Sequence, residues 1–283
     1  MKEKQLKYYQ FLTHISKDEL FTGLVGYGMF PEKLPPIFTS LSWLRFVKNN
    51  PTVNFSKNPS QYIFYETMRN TNVPRKMGIP NPITYTLLCQ HIQKFWPDIC
   101  QYFKSQTSNQ SYKKSRIHIR KSKNSKALFL MSYGNHIFDG SPELDLIFDA
   151  HYVVKTDISQ CFPSMYSHAL SWAIVGKTKA KGDKGDKTWY NLLDYYVRNI
   201  KDGETNGFLI GPHVSNLLSE IILCAVDSKL NEWKYIRNID DYTCYVKDQQ
   251  AAEKFLVALD MELKEFGLNL NYKKTEIIKL PIG

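Results

Sequence analysis

The stretch RNIDDYTCYV, residues 237–246, sets two carboxylates, Asp240 and Asp241, side by side in a run otherwise made of β-formers. Adjacent negative charges repel, so a sheet gains nothing from them. The surrounding sequence, KYIRNIDDYTCYV, predicts a β-hairpin with the pair at its turn. A turn accounts for one aspartate, because its side chain can bond the local backbone. It accounts less well for two that are flanked by Ile239 and Tyr242 rather than by Gly or Asn.

A second acidic position points to a reason. HYVVKTDIS (151–159) predicts a strand that closes on Asp157. A strand-end carboxylate beside a hairpin-tip pair could hold two divalent cations. Hard oxygen ligands suit Mg²⁺, with Mn²⁺ as a substitute. Two such ions can activate an attacking oxygen and stabilise a leaving one in phosphoryl transfer. The formal net charge of +10 makes a polyanion, DNA or RNA, a reasonable partner.

The five cysteines, Cys89, Cys100, Cys161, Cys224 and Cys244, are scattered. Their spacing fits no zinc site, and their odd number argues against a disulfide framework, so a reducing cytoplasm is expected. The charged N-terminus lacks the apolar core of a signal peptide. No run approaches the ~20 apolar residues of a membrane span.

Residues 1–70 read as mixed helix and loop, and residues 73–96 as an extended basic piece followed by a helix. A basic segment, 105–126, predicts a loop with a short strand at RIHIR, and GKTKAKGDKGDK (176–187) a flexible loop. Residues 211–233 predict a helix with Pro212 near its first turn. In 251–267, Phe255, Leu259, Leu263 and Phe266 share one helical face and Gly267 marks the C-terminus. LNLNYKKTEIIKL (268–280) alternates like a strand. Interspersed strands and helices give an α+β layered domain.

Four of these segments, in this order, resemble the motifs of reverse transcriptases. DISQCFPSMY resembles motif A and TNGFLIGPHVSNLLSEIIL (205–223) motif B. RNIDDY resembles motif C, and FGLNLNYKKTEII (266–278) motif D. The local sequences IPNPITYTLLC, LSWAIVGKTKAK and GYGMFPEKLPPIFTS (26–40) are similar to bacterial abortive-infection and other defence-associated members.

The resemblance implies a right-hand polymerase palm and fingers, with an antiparallel palm sheet backed by helices. An N-terminal family-specific region would take residues 1–70, the fingers 71–150 and the palm 151–283, with part of 176–210 returning to the fingers. The chain ends just after motif D. A thumb is therefore expected from a C-terminal region or another chain.

The resemblance also implies roles. Asp157, Asp240 and Asp241 would hold two Mg²⁺, with the backbone carbonyl of Ile158 as a further ligand. Phe162, five residues after Asp157, would exclude a 2′-hydroxyl by steric clash. Arg75 and Lys76 would grip the triphosphate of a dNTP. Gly207, Gly211 and Ser215 belong to the motif B nucleotide wall. One of the paired lysines Lys273 and Lys274, with Lys273 as the first candidate, would assist the leaving pyrophosphate.

The expected activity is addition of dNTPs to a DNA 3′ end or a protein primer, templated or not, in antiphage defence in the bacterial cytoplasm. A homo-oligomer is an expected state. A non-catalytic nucleic-acid-binding module of the same fold is the alternative. The sequence departs from the pattern at Asn206-Gly207-Phe208-Leu209 in motif B and at Asn238 in motif C, where an aromatic is usual. Both departures bear on template and primer more than on chemistry.

Overall fold

A computed structural model describes residues 6–68, 74–122, 125–131, 139, 143–183 and 188–281. In chain order its elements are α1 (Tyr8–Thr13), α2 (Lys17–Tyr27), α3 (Leu41–Asn49), β1 (Ile63–Met68), β2 (Pro74–Ile79), α4 (Pro82–Lys94), α5 (Trp96–Thr107), α6 (Glu143–Ile147), β3 (Tyr152–Asp157), α7 (Cys161–Ser164), α8 (Ala169–Val175), α9 (Lys177–Gly182), α10 (Trp189–Asn199), α11 (His213–Lys229), β4 (Tyr235–Asn238), β5 (Asp241–Val246), α12 (Gln249–Lys264) and β6 (Glu276–Lys279). Among the described residues no helix is long and apolar enough to cross a membrane.

Among the described residues, two antiparallel sheets organise the chain. β1 and β2 form a two-stranded ribbon, and the larger sheet runs β4-β5-β3-β6. In that sheet Asp157, the last residue of β3, lies directly opposite Asp241, the first of β5. On β5, Tyr242, Cys244 and Val246 alternate as buried residues. α12 packs against β5 and β3, and turns Phe255, Leu259 and Leu263 inward at four-residue spacing. α11 lies against α5, α8 and α12, and most of its residues are buried. The fold is thus the expected α+β arrangement of antiparallel sheets and packed helices.

Local chemistry sets the helix starts. Ser16 and Glu19 form a capping box on α2, Asn81 caps α4 ahead of Pro82, and Asp248 caps α12. α11 follows Pro212 and has no side-chain cap. Its first amide, that of His213, donates instead to the carbonyl of Gly28 at 2.8 Å. The N-terminal region is therefore fastened to the helix that backs the large sheet.

Three expectations are corrected. RIHIR forms no strand: the neighbouring backbone bonds the edge of β4 only through Lys114 and Arg116, on either side of Arg237. Residues 177–182 of the expected glycine-lysine loop are helical (α9), and its residues 184–187 lie outside the described residues. The strand expected over 268–280 is divided. Leu270 makes a single bridge to Ile158, residues 272–274 form a 3₁₀ turn, and pairing with β3 resumes only in β6.

Candidate active site

The β4–β5 hairpin pairs Asn238 with Asp241, which leaves Ile239 and Asp240 as its two turn residues. Ile239 has φ +60°, a left-handed conformation that costs a β-branched side chain energy and that Gly usually fills in such turns. The turn is held from below by Arg237. Its guanidinium is fully buried and donates through Nη1 to the Ile239 carbonyl at 2.8 Å. The same group bonds Glu220 Oε1 at 2.6 Å and Asp227 Oδ2 at 2.7 Å, both carboxylates coming from α11. Burial opposes its charge, but the two carboxylates outweigh burial and hold it firmly protonated. Tyr8 and Ser115 donate to Glu220, and Tyr235 donates to Asp227, so the buried acids have further partners. Sequence reasoning passed over this anchor. The sequence carries only a trace of it: an acid at each end of the apolar run of residues 221–226, and an arginine between Ile236 and Asn238.

The three aspartates meet on the wall of one cavity of about 380 Å³. The amide of Ile158 donates to the Asp240 carbonyl at 3.2 Å and the amide of Asn271 to the Asp157 carbonyl at 2.9 Å, which locks the strand ends together. Burial, the neighbouring Asp241 charge and Asp157 push the Asp240 carboxyl upward. Burial and Asp157 do the same to Asp241. Asp157 is buried, and its Oδ1 has no hydrogen-bond partner. Its Oδ2 receives the Lys274 ammonium at 2.5 Å.

This donor set fits divalent cations. It consists of hard oxygens, burial and mutual repulsion disfavour the charges of Asp240 and Asp241, and it includes an orphaned buried oxygen beside one already holding a cationic side chain. Among the described residues no three His, Cys, Asp or Glu side chains already converge on a single metal position.

The other expected residues divide between two sides. Side chains alternate along β2, which sends Arg75 and Met77 into the cavity with the aspartates. Lys76 lines a second groove of about 220 Å³, where its ammonium lies 5.2 Å from the Phe64 ring centroid. Phe162 and Gly211 line the main cavity. Gly207 lines the second groove, has φ +80°, and could not carry a Cβ without meeting the Pro163 carbonyl at 2.9 Å. Its tight spot is thus against backbone. Ser215 is buried within α11 with an unpartnered hydroxyl, and Ile158 is buried behind the aspartates. Neither lines the cavity. Of the paired lysines, Lys274 reaches the carboxylates, while Lys273 is exposed and lines no part of the cavity.

The N-terminal region contributes Pro31, Glu32 and Lys33 to the same cavity. Gly211, at φ +127°, admits Pro31 so closely that a Cβ would stand 2.3 Å from Pro31 Cγ. The loop of residues 207–211 is pinned on its other side as well. Gly78 donates to the Ile210 carbonyl at 2.8 Å, and Phe208 to that of Phe162, also at 2.8 Å. β2, the residues following Asp157 and the start of α11 are therefore tied into one wall.

Comparison with known proteins bears on the family and the fold. The profile of the reverse transcriptase (RNA-dependent DNA polymerase) family matches residues 85–282. Among solved structures, a telomerase from Candida albicans in complex with a TWJ fragment of telomeric RNA superposes with a TM-score of 0.50 at 12% identity, over 91% of this chain and 51% of that one. A Candida Tropicalis telomerase truncated from its C-terminal domain gives 0.49 at 13% identity, over 92% and 60%. At 12% identity the likeness to the Candida albicans protein is one of fold alone, and the chain spans about half to three fifths of the length of these proteins. No curated protein matches.

Proposed function

That the chain belongs to the reverse transcriptase (RNA-dependent DNA polymerase) family is the premise from which we propose its function: addition of dNTPs to a DNA 3′ end or a protein primer by metal-assisted nucleotidyl transfer. The observation that carries the reading is the meeting of Asp157, Asp240 and Asp241 on one cavity wall, with Arg75 and Lys274 beside them. Repelling acids held together in a partly buried site have a purpose where cations bind, and none in a surface free of catalysis.

In this reading Asp157, Asp240 and Asp241 hold two Mg²⁺, with the Ile158 carbonyl as a candidate further ligand. When bound, the ions supply charge neutralisation at the attacking and leaving oxygens. Arg75 binds the triphosphate through its several donors. Phe162, on the cavity wall, excludes a 2′-hydroxyl. Lys274, already at Asp157, is the better placed of the two lysines to meet the departing pyrophosphate. Lys76 and Gly207, in the second groove, are assigned to the nucleic-acid strand rather than to the dNTP.

Residues 71–150 serve as fingers and 151–283 as palm. α10, packed against α4, joins the fingers side. For biological role we keep antiphage defence, on the likeness of IPNPITYTLLC and GYGMFPEKLPPIFTS to defence-associated members.

The test is dNTP incorporation with Mg²⁺, with and without a primed RNA template, beside Asp240→Ala/Asp241→Ala. Incorporation that needs template and is lost in the variant supports a templated enzyme. Template-free product joined to protein supports protein priming. A protein that binds nucleic acid equally well in both forms and incorporates nothing under any condition would be a binding module instead.

A further inference from the structure

The aspartates account for only part of the cavity. A second polar group faces it from other elements: Glu32 from the N-terminal region, and His213 and Asn216, one helical turn apart on α11. His213 is 1% exposed, yet neither ring nitrogen has a hydrogen-bond partner. Buried polar nitrogens are nearly always satisfied, and a pair left open beside a cavity marks a place where something binds. The nearest acid does not close the gap, because Glu32 Oε1 stands 3.8 Å from His213 Nε2, beyond hydrogen-bond reach. Gly28 packs on the Nδ1 side of the ring, so closely that a Cβ added there would stand 2.8 Å from Nδ1. The Phe129 ring, its centroid 5.5 Å from that of the imidazole, fixes the ring's tilt. The free edge is therefore Nε2, beside the Glu32 carboxylate, which the Met131 amide holds at 3.3 and 3.4 Å.

Resting on the nucleotidyl-transfer reading above, we propose that His213, Glu32 and Asn216 recognise the Watson–Crick edge of the incoming nucleoside triphosphate and favour bases whose amino group there adjoins an unprotonated ring nitrogen, adenine and cytosine, over guanine, whose N1 carries a proton, and thymine. The chemistry follows from the donor inventory. A carboxylate accepts from an exocyclic amine, an imidazole N–H donates to a ring nitrogen, and an amide does either. Thymine offers a carbonyl where these bases offer the amine, and a carboxylate repels it. Burial lowers the His213 pKa to about 4, so the ring is neutral near pH 7 and carries one donor and one acceptor. A cavity of about 380 Å³ lies within the roughly 300–1,000 Å³ of ligand pockets, and Phe129, Met131 and Ile117 add apolar surface for a base. The chain would then impose a base preference of its own, over and above any template.

The experiment is equilibrium binding of dATP, dCTP, dGTP, dTTP and inorganic tripolyphosphate to the whole chain, with Ca²⁺ to prevent turnover. The variants are His213→Phe and Glu32→Gln, each checked by thermal unfolding. The expected result is that dATP and dCTP bind about tenfold tighter than dTTP. The variants should bring that ratio close to one and leave tripolyphosphate affinity unchanged. Glu32→Gln, at a half-exposed position, keeps the test open should His213→Phe fail to fold. Equal binding of the four nucleotides by the unaltered chain, or a ratio unmoved by Glu32→Gln, overturns the base-reading proposal and leaves nucleotidyl transfer standing. Absence of binding by every nucleotide and by tripolyphosphate overturns both.

Discussion

Replacing Arg237 by Met should be among the most damaging single changes in this chain. The guanidinium has no exposed surface and neutralises Glu220 and Asp227, whose side chains are 3% and 0% exposed. Methionine fills similar space but leaves two buried carboxylates facing each other without a cation. Removing one partner of a buried ion pair costs about 3–5 kcal/mol, most of it from the charge left behind. Set against a total stability of about 5–15 kcal/mol, that is a large fraction. The bond to the Ile239 carbonyl is lost as well, and the turn bearing Asp240 loses its support. Urea unfolding followed by circular dichroism measures the loss. The decisive comparison is the triple variant Arg237→Met/Glu220→Gln/Asp227→Asn, in which no charge is stranded. It should be more stable than Arg237→Met alone by more than about 1 kcal/mol. A single variant that loses less than about 1 kcal/mol, or a triple variant less stable than the single, would refute the stranded-charge argument.

Gly211→Ala should cost about 1–3 kcal/mol, because the new Cβ meets Pro31 at 2.3 Å and the backbone sits at φ +127°; urea unfolding, with hydrogen exchange over residues 28–33, reads both the loss and its location. Asp240→Asn should be more stable than the unaltered chain at pH 7 in chelator, as measured by thermal unfolding. A carboxylate whose folded pKa is raised binds more protons in the native state, so stability falls as pH rises from its ordinary value of about 3.9 through the raised one. The advantage should vanish below about pH 4, and Mg²⁺ should stabilise the unaltered chain more than the variant. Lys274→Ala should slow dNTP incorporation more than Lys273→Ala, since only Lys274 touches Asp157; equal losses would show that the contact is idle.

The parts of the site that lie within one element were open to sequence reasoning. The hairpin announced itself through paired acids among β-formers, and α12 through Phe255, Leu259 and Leu263 at four-residue spacing. The strand ending in Asp157 was visible as an apolar run with an acidic stop. What stayed hidden depends on contacts between distant segments. Glu220 and Asp227 read as ordinary helix residues until Arg237 is seen against them. Glu32 and His213 are 181 residues apart, and tertiary contacts such as the Gly28–His213 hydrogen bond and the packing of Pro31 on Gly211 bring their segments together. RIHIR alternates like a strand but is held by ion pairs and by irregular bonding to β4, so tertiary contacts overrode its local preference. Lys273 and Lys274 cannot be ranked from sequence, because a 3₁₀ turn decides which of them faces Asp157.

The strand order has a consequence for how the chain is made. β3, which carries Asp157, lies between β5 and β6, and both of these leave the ribosome long after it. Tyr152 waits for Val246 on one side and for Lys279 on the other. Until then a nascent chain exposes two bare edges on an apolar strand, a state prone to mispairing and slow to resolve. The carboxylates are brought together only once β5 has followed β3 out of the ribosome, so chains arrested before that point lack the assembled site.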